Sequence, residues 1–192
     1  MSFKRESQYP VAPWFLDRWS PRAFKPVQLT DEQLMTILEA ARWAPSSYNN
    51  QPWRFIYAHR QTSSWEKLFG LLVDFNKQWA QHASVLVVMV SKDSFDFNGK
   101  PSRTHSFDAG AAWMSLALQA SAMGLYAHGM EGFNYERAKK ELGVPEGYTV
   151  EAMCAIGYLG DVASLPADMQ QREEPSDRKP LTALVAEGSF KE

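Results

Sequence analysis

From Asp108 to Met123 the chain reads D-A-G-A-A-W-M-S-L-A-L-Q-A-S-A-M, almost wholly apolar or small, and Gly124 follows as a helix stop. A helix that is apolar all round has no face to offer water, so it must be buried on several sides. In a chain of 192 residues, that calls for a core helix held between a sheet and either another helix or a second subunit. A second segment sets a matching demand. V-L-V-V-M-V at 85–90 lacks polar alternation and reads as an interior strand with helices over both of its faces.

The other elements follow from local signals. Thr30 opens a capping box, T-D-E-Q, with Gln33 at the third helical position. Leu34, Ile37, Leu38 and Ala41 recur at helical spacing, and Pro45 limits this helix near Ala44. W-R-F-I-Y-A at 53–58 is a strand, and Ser63 or Ser64 caps a second helix running towards Phe75. Residues 91–107 form a long exposed polar loop. L-Y-A-H-G-M from Leu125 is a short strand, Asn134 caps a helix to Leu142, and V-E-A-M-C-A-I-G-Y-L from Val150 is another strand. Residues 1–29 make an arm with at most a short helix. Asp161 to Lys179 is a polar tail with few apolar anchors, and L-T-A-L-V at 181–185 is suited to pairing or packing. Docking on a partner subunit accounts for both parts of the tail.

Composition narrows the function. With 45% hydrophobic and 22% charged residues, the chain buries a core without staples, and one domain over 1–192 is expected. A net charge of -2 gives no overall reason for a nucleic-acid partner. Cys154 is the only cysteine, which excludes an intrachain disulfide and makes a cytoplasmic setting the expectation. The N-terminus lacks the apolar core of a secretory signal and the 85–90 run is too short to span a bilayer, so no membrane association is expected. No G-x-G-x-x-G, Walker loop or H-E-x-x-H is present, which leaves classical dinucleotide binding unsupported. His59, His82, His105 and His128 show no metal spacing, and Cys154 reads as a core thiol.

Three segments carry chemistry. A-P-S-S-Y-N-N-Q-P-W at 44–53 packs two hydroxyls, two asparagines and a glutamine between stiffening prolines, which suits a rigid loop reading a ligand's hydrogen bonds. The alternative is an ordinary connection whose side chains satisfy their own backbone. Arg18, Ser20 and Arg22 alternate, so in an extended segment two guanidiniums flank a hydroxyl on one side, an arrangement suited to a phosphate monoester. Asp177-Arg178-Lys179 is a second basic candidate, or else a charged turn of the tail.

With G-M-E-G-F at 129–133 and D-R-K-P-L at 177–181, these segments resemble the nitroreductase family of FMN-dependent oxidoreductases across nearly the whole chain. The resemblance implies an α+β nitroreductase-like fold, a mixed, mainly antiparallel sheet of four or five strands flanked by helices, assembled as a homodimer. The arm (about 1–29) and the tail (about 161–192) would pack on the partner. It implies FMN as cofactor and NADH or NADPH as electron donor, with ping-pong hydride transfer to a small-molecule acceptor such as a nitroaromatic, quinone or enone. Specialised chemistry within the family, reductive dehalogenation or flavin fragmentation, and a non-enzymatic FMN-binding protein are the alternatives.

By the same resemblance, Arg18, Ser20, Arg178 and Lys179 meet the phosphate, and Pro45, Ser46, Ser47 and Asn49 reach the flavin from the opposite subunit. Asn76 pairs with the pyrimidine edge, and the main-chain N-H groups of Glu131 and Gly132 approach N5 and O4. Gly132 then reads as a glycine because a ring close to the main chain leaves no room for a Cβ. Some members carry a lysine three residues after the asparagine; here Trp79 stands there, leaving Arg22 as the main electrostatic stabiliser of the reduced ring. No side chain is expected to act as acid, base or nucleophile, since FMN carries the hydride.

Overall fold

The computed structural model describes residues 5–190; the outermost ends of the expected arm and tail lie outside the described residues. Four strands, β1 (Trp53–His59), β2 (Val85–Lys92), β3 (Tyr126–Met130) and β4 (Tyr148–Gly157), form one sheet in the order β1-β2-β4-β3. All three ladders are antiparallel, in keeping with the mainly antiparallel α+β organisation expected.

β2 is interior, as its composition demands, and it alternates between two cores. Leu86, Val88 and Val90 face one core with Ala155 and Met153 of β4, covered by Trp65, Leu68 and Trp79. Val85 and Val87 face the other, with Cys154 and Ile156, beneath Leu34 and Ile37 on one helix and Ala112 and Leu116 on another. Those helices are α2 (Asp31–Arg42) and α5 (His105–Ala122), following the short α1 (Trp14–Asp17). α2 has the predicted capping box, with Thr30 Oγ1 accepting from Gln33 N at 3.1 Å and Gln33 Oε1 accepting from Thr30 N at 3.0 Å. α5 buries Ala109, Ala112, Leu116, Ala117 and Ala120 on one side, while Phe107 and Gly110 are exposed and Trp113 is half-buried. One chain therefore covers only part of this apolar helix.

The predicted helix from Ser63 to Phe75 is two helices, α3 (Ser63–Gly70) and α4 (Asp74–Ala80). The break has a cause in the main chain. Val73 N donates to Gly132 O at 3.1 Å and Asn134 N donates to Leu71 O at 2.9 Å, so residues 71–73 pair with the 131–134 segment and cannot continue the helix. Thr62, not Ser63 or Ser64, is the cap, its hydroxyl accepting from Trp65 N at 3.2 Å. The 91–107 loop is shorter than expected, since β2 runs on to Lys92 and α5 starts at His105. It folds back through Phe95 N to Lys100 O and Ser102 N to Asp93 O. α6 (Tyr135–Glu141) has Asn134 as its cap, and α7 (Ala167–Gln170) follows β4 within the tail.

Candidate active site

The pairing of residues 71–73 with 131–134 brings Asn76 beneath the G-M-E-G-F segment. Asn76 is buried; its Nδ2 donates to Gly132 O at 3.0 Å and its Oδ1 accepts from Trp79 Nε1 at 3.2 Å. Each end of the amide retains one further donor or acceptor position. A Cβ on Gly132 would lie 2.6 Å from Asn76 Nδ2 and 3.0 Å from Val73 Cγ2, so this glycine is already required by the protein's own packing, without a ring. Phe133 N donates to Glu131 O at 2.8 Å, a tight turn in which the N-H groups of Glu131 and Gly132 have no hydrogen-bond partner among the described residues.

Trp79, at the position where some family members have lysine, is a core residue. It stacks on Phe24 at 6.2 Å and meets His128 at 4.6 Å between centroids. Its contribution to the site is to fix Asn76, not to present charge. His128 Nδ1 donates to Pro21 O at 2.9 Å, and burial pushes the imidazole down to about 4, with Arg22 adding in the same direction. The ring is therefore neutral at physiological pH and touches the segment bearing Arg22. Arg22 Nε is buried with no partner among the described residues. Glu173 anchors the main chain here, one carboxylate oxygen accepting from Arg22 N at 2.6 Å and Ala23 N at 2.7 Å.

A few residues earlier, Arg18 is half-buried, and its Nη1 donates to Ser20 Oγ at 3.3 Å. Burial first, and Arg178 second, lower its guanidinium from the usual value. Arg178, although 160 residues away in sequence, thus lies within electrostatic reach of Arg18. Lys179 is exposed and makes no hydrogen bond among the described residues.

The 45–52 loop is built under backbone strain: Tyr48, Asn49 and Gln51 all have positive φ, at 53°, 52° and 47°, a conformation that asparagine tolerates but that costs roughly 1 kcal/mol or more at Tyr48 and at Gln51. Ser46 Oγ accepts from Gln51 N at 3.0 Å, and Asn50 ties the loop to Ser94 and Asp96. Pro45 and Asn49 are exposed, and the side chains of Ser47 and Asn49 make no hydrogen bonds among the described residues. No hydrogen bond there joins this loop to Arg18, Arg22, Asn76 or Gly132. The expected set is thus gathered in two groups, with the loop apart.

Sequence reasoning missed Asp108. Its buried carboxylate, at the first turn of α5, accepts from Ser47 N at 3.1 Å and holds the strained loop from below. It also missed a polar cluster beside a cavity of about 530 Å³, which is walled by Trp113, Gly129, Met130, Glu131, Tyr135 and Glu151. Ser91 Oγ and Ser106 Oγ both donate to Glu151 Oε1. Ser91 has thereby used its one proton, so His105 Nδ1, 2.7 Å from Ser91 Oγ, is the donor of that pair. Only the polar residues scattered through an apolar pattern signalled these sites, and such residues do not reveal their partners.

Residues 16–158 match the sequence profile of the Nitroreductase family. The chain belongs to that family. It is 35% identical over 124 residues to an uncharacterized 15.4 kDa protein of Mycolicibacterium smegmatis, covering 64% of this chain and 82% of that one. To the oxygen-insensitive NAD(P)H nitroreductase of Salmonella typhimurium it is 28% identical over 215 aligned positions, covering 90% and 96%. Among solved structures, an oxidoreductase containing FMN superimposes with a TM-score of 0.94 at 51% identity, covering 97% of this nitroreductase-family chain and 96% of the other. No helix among the described residues is long and apolar enough to cross a membrane.

Proposed function

We infer that this chain is an FMN-dependent oxidoreductase, driven by NADH or NADPH, that reduces flat conjugated acceptors such as nitroaromatics, quinones or enones by ping-pong hydride transfer. Family membership and the FMN-containing relative of 51% identity support the cofactor. The donor set fits it independently. The observation that carries the reading is Arg22 Nε, buried without a partner among the described residues, in a segment whose Pro21 carbonyl bonds His128 and whose Phe24 stacks on Trp79, the residue that holds Asn76. Together with the open N-H groups of Glu131 and Gly132, it offers donors to a ring with an acceptor-rich edge, while Arg18, Ser20, Arg178 and Lys179 offer cations and a hydroxyl to a phosphate.

FMN, when bound, supplies the two-electron chemistry that no side chain here can perform. The chain's own residues hold and polarise. With FMN bound, Arg22 would supply a cation to the reduced ring, and Asn76, fixed by Trp79, would offer its remaining N-H and lone pair to the ring's polar edge. Neutral His128 packs beside Arg22 without adding a second positive charge. Pro45, Ser46, Ser47 and Asn49 stand apart from these groups within one chain, which fits a loop given to the opposite subunit's site.

That reading needs a homodimer. The uncovered side of α5 and the exposed Trp14, Phe107, Leu184, Val185 and Phe190 support one, because such apolar surface on a lone chain would face water. One domain with an arm and a tail packing on the partner is the organisation we propose. Purified protein should be yellow, with noncovalent FMN at about one per chain. Anaerobic mixing with NADH or NADPH should bleach it, and a panel of acceptors should restore the colour. Colourless protein that takes up no added FMN would refute the reading.

A further inference from the structure

We propose that Arg5 is a positioning residue for the cofactor phosphate, tying the N-terminal arm to the C-terminal segment so that Arg18 and Arg178 face one anion. The inference rests on the FMN reading above and deepens it. Arg5 lies outside residues 16–158 that match the family profile, and no sequence motif singles it out.

The geometry is that of a three-way tie. Arg5 Nη1 donates to Arg18 O at 2.6 Å and to Leu16 O at 3.2 Å, and Arg5 Nε donates to Ser176 O at 2.9 Å. Arg178 Nη1 donates to the same Ser176 carbonyl at 3.1 Å and to Ser176 Oγ at 3.1 Å. One guanidinium thus bonds the main chain of Arg18 and shares a carbonyl with Arg178, across 171 residues of sequence. Removing it unties the two cations expected at the phosphate from each other.

The charge balance points to an anion as the missing member. Arg5, Arg18 and Arg178 form no ion pair with a carboxylate among the described residues. Burial lowers the Arg5 guanidinium from its usual value, Arg178 and Arg18 lower it further, and Asp177 opposes them. Guanidinium does not give up its proton in a protein, so a bound anion would relieve the mutual repulsion of these cations. A phosphate monoester bears close to two negative charges and three acceptor oxygens at neutral pH. Arg5 Nη2 bonds no protein atom among the described residues.

The test compares FMN with riboflavin, which has the same ring and no phosphate. Deflavinated wild type, Arg5→Gln, Arg5→Lys and, as a surface control of equal charge change, Lys140→Gln are titrated with each flavin by fluorescence quenching. Arg5→Gln is expected to raise the Kd for FMN about tenfold or more and to leave riboflavin binding unchanged. Arg5→Lys, with the charge but without the fork, should recover part of the loss, and Lys140→Gln should match wild type. FMN should slow trypsin cleavage after Arg178 in wild type and not in Arg5→Gln. A wild type with no preference for FMN over riboflavin overturns the cofactor reading itself. A wild type that prefers FMN, with Arg5→Gln preferring it equally or losing both flavins equally, overturns the role of Arg5 alone.

Discussion

Lowering the pH should destabilise this protein through one imidazole. His128 is held near a pKa of about 4 by burial, against about 6.5 for a free imidazole, and the neutral ring keeps its hydrogen bond from Nδ1 to Pro21 O. The unfolded chain therefore binds a proton at this site before the folded chain does. Its contribution to stability is full above pH 6.5, falls as the pH drops from 6.5 towards 4, and levels off below 4. A gap of that size corresponds to about 3 kcal/mol at the limit, of which about 2 kcal/mol is lost between pH 7 and pH 4.5. In a fold with a net stability of roughly 5–15 kcal/mol, this is a large fraction.

Urea unfolding of the flavin-free protein, followed by tryptophan fluorescence at pH 7 and pH 4.5, measures the loss. Other titrating groups also contribute, so the comparison that isolates His128 is with His128→Gln, whose amide can still donate to Pro21 O. The variant should be less sensitive to acid by about 2 kcal/mol over that interval. Equal losses in the two proteins would refute the argument, because they would mean that the ring is solvated enough to titrate alike in both states.

Replacing Arg18 with Ala should weaken FMN binding by about 1.5–3 kcal/mol, as for a lost hydrogen bond between charged groups, read as a rise in Kd on flavin titration. In stopped-flow bleaching of variants that retain FMN, Arg22→Ala should slow reduction by NAD(P)H more than a conservative change at any of the four histidines or at Cys154, whose thiol burial pushes up to about 12. A hundredfold loss in His105→Gln or His128→Gln, with little change in Arg22→Ala, would reverse these roles. Gly132→Ala should displace Asn76, since the new Cβ would lie 2.6 Å from Asn76 Nδ2, and a crystal structure with Asn76 unmoved would contradict the packing argument.

The parts of the fold legible in the sequence were those that depend on one segment at a time. The capping box at Thr30 and the doubly apolar run of β2 state their own burial, and the cap and the interior place of the strand are found as read, although β2 continues past the apolar run to Lys92. The helix from Ser63 to Phe75 failed because its break is imposed from outside, by hydrogen bonds to residues 131–134. Leu71 and Leu72 are good helix residues, and only the pairing partner excludes them. The same pairing gives Gly132 its reason to be glycine, a contact with Asn76 across 56 residues of sequence.

The candidate site divides in the same way. The neighbourhood of Arg18 and Ser20 was legible because alternation is local, and their side chains do meet at 3.3 Å, whereas the bonds of Arg5 reach carbonyls of two separate segments that no local pattern announces. The 45–52 loop shows what residue types alone omit. Its donors were visible, yet three left-handed residues without glycine give the sequence no sign of their conformation. Such strain persists only where the surroundings over-determine it, and here they do. Asp108 holds Ser47 N from below, Asn50 bonds Ser94 and Asp96, and Tyr48 packs on Phe95 and Phe97 at 5.5 and 5.4 Å. Within one chain these restraints hold the loop in a costly shape while the side chains of Ser47 and Asn49 bond nothing among the described residues. A loop held rigid with two polar side chains unspent accords with the proposal that it serves a ligand or a partner beyond its own chain, and a loss of FMN from the Asn49→Ala variant only when the protein is assembled would test that proposal.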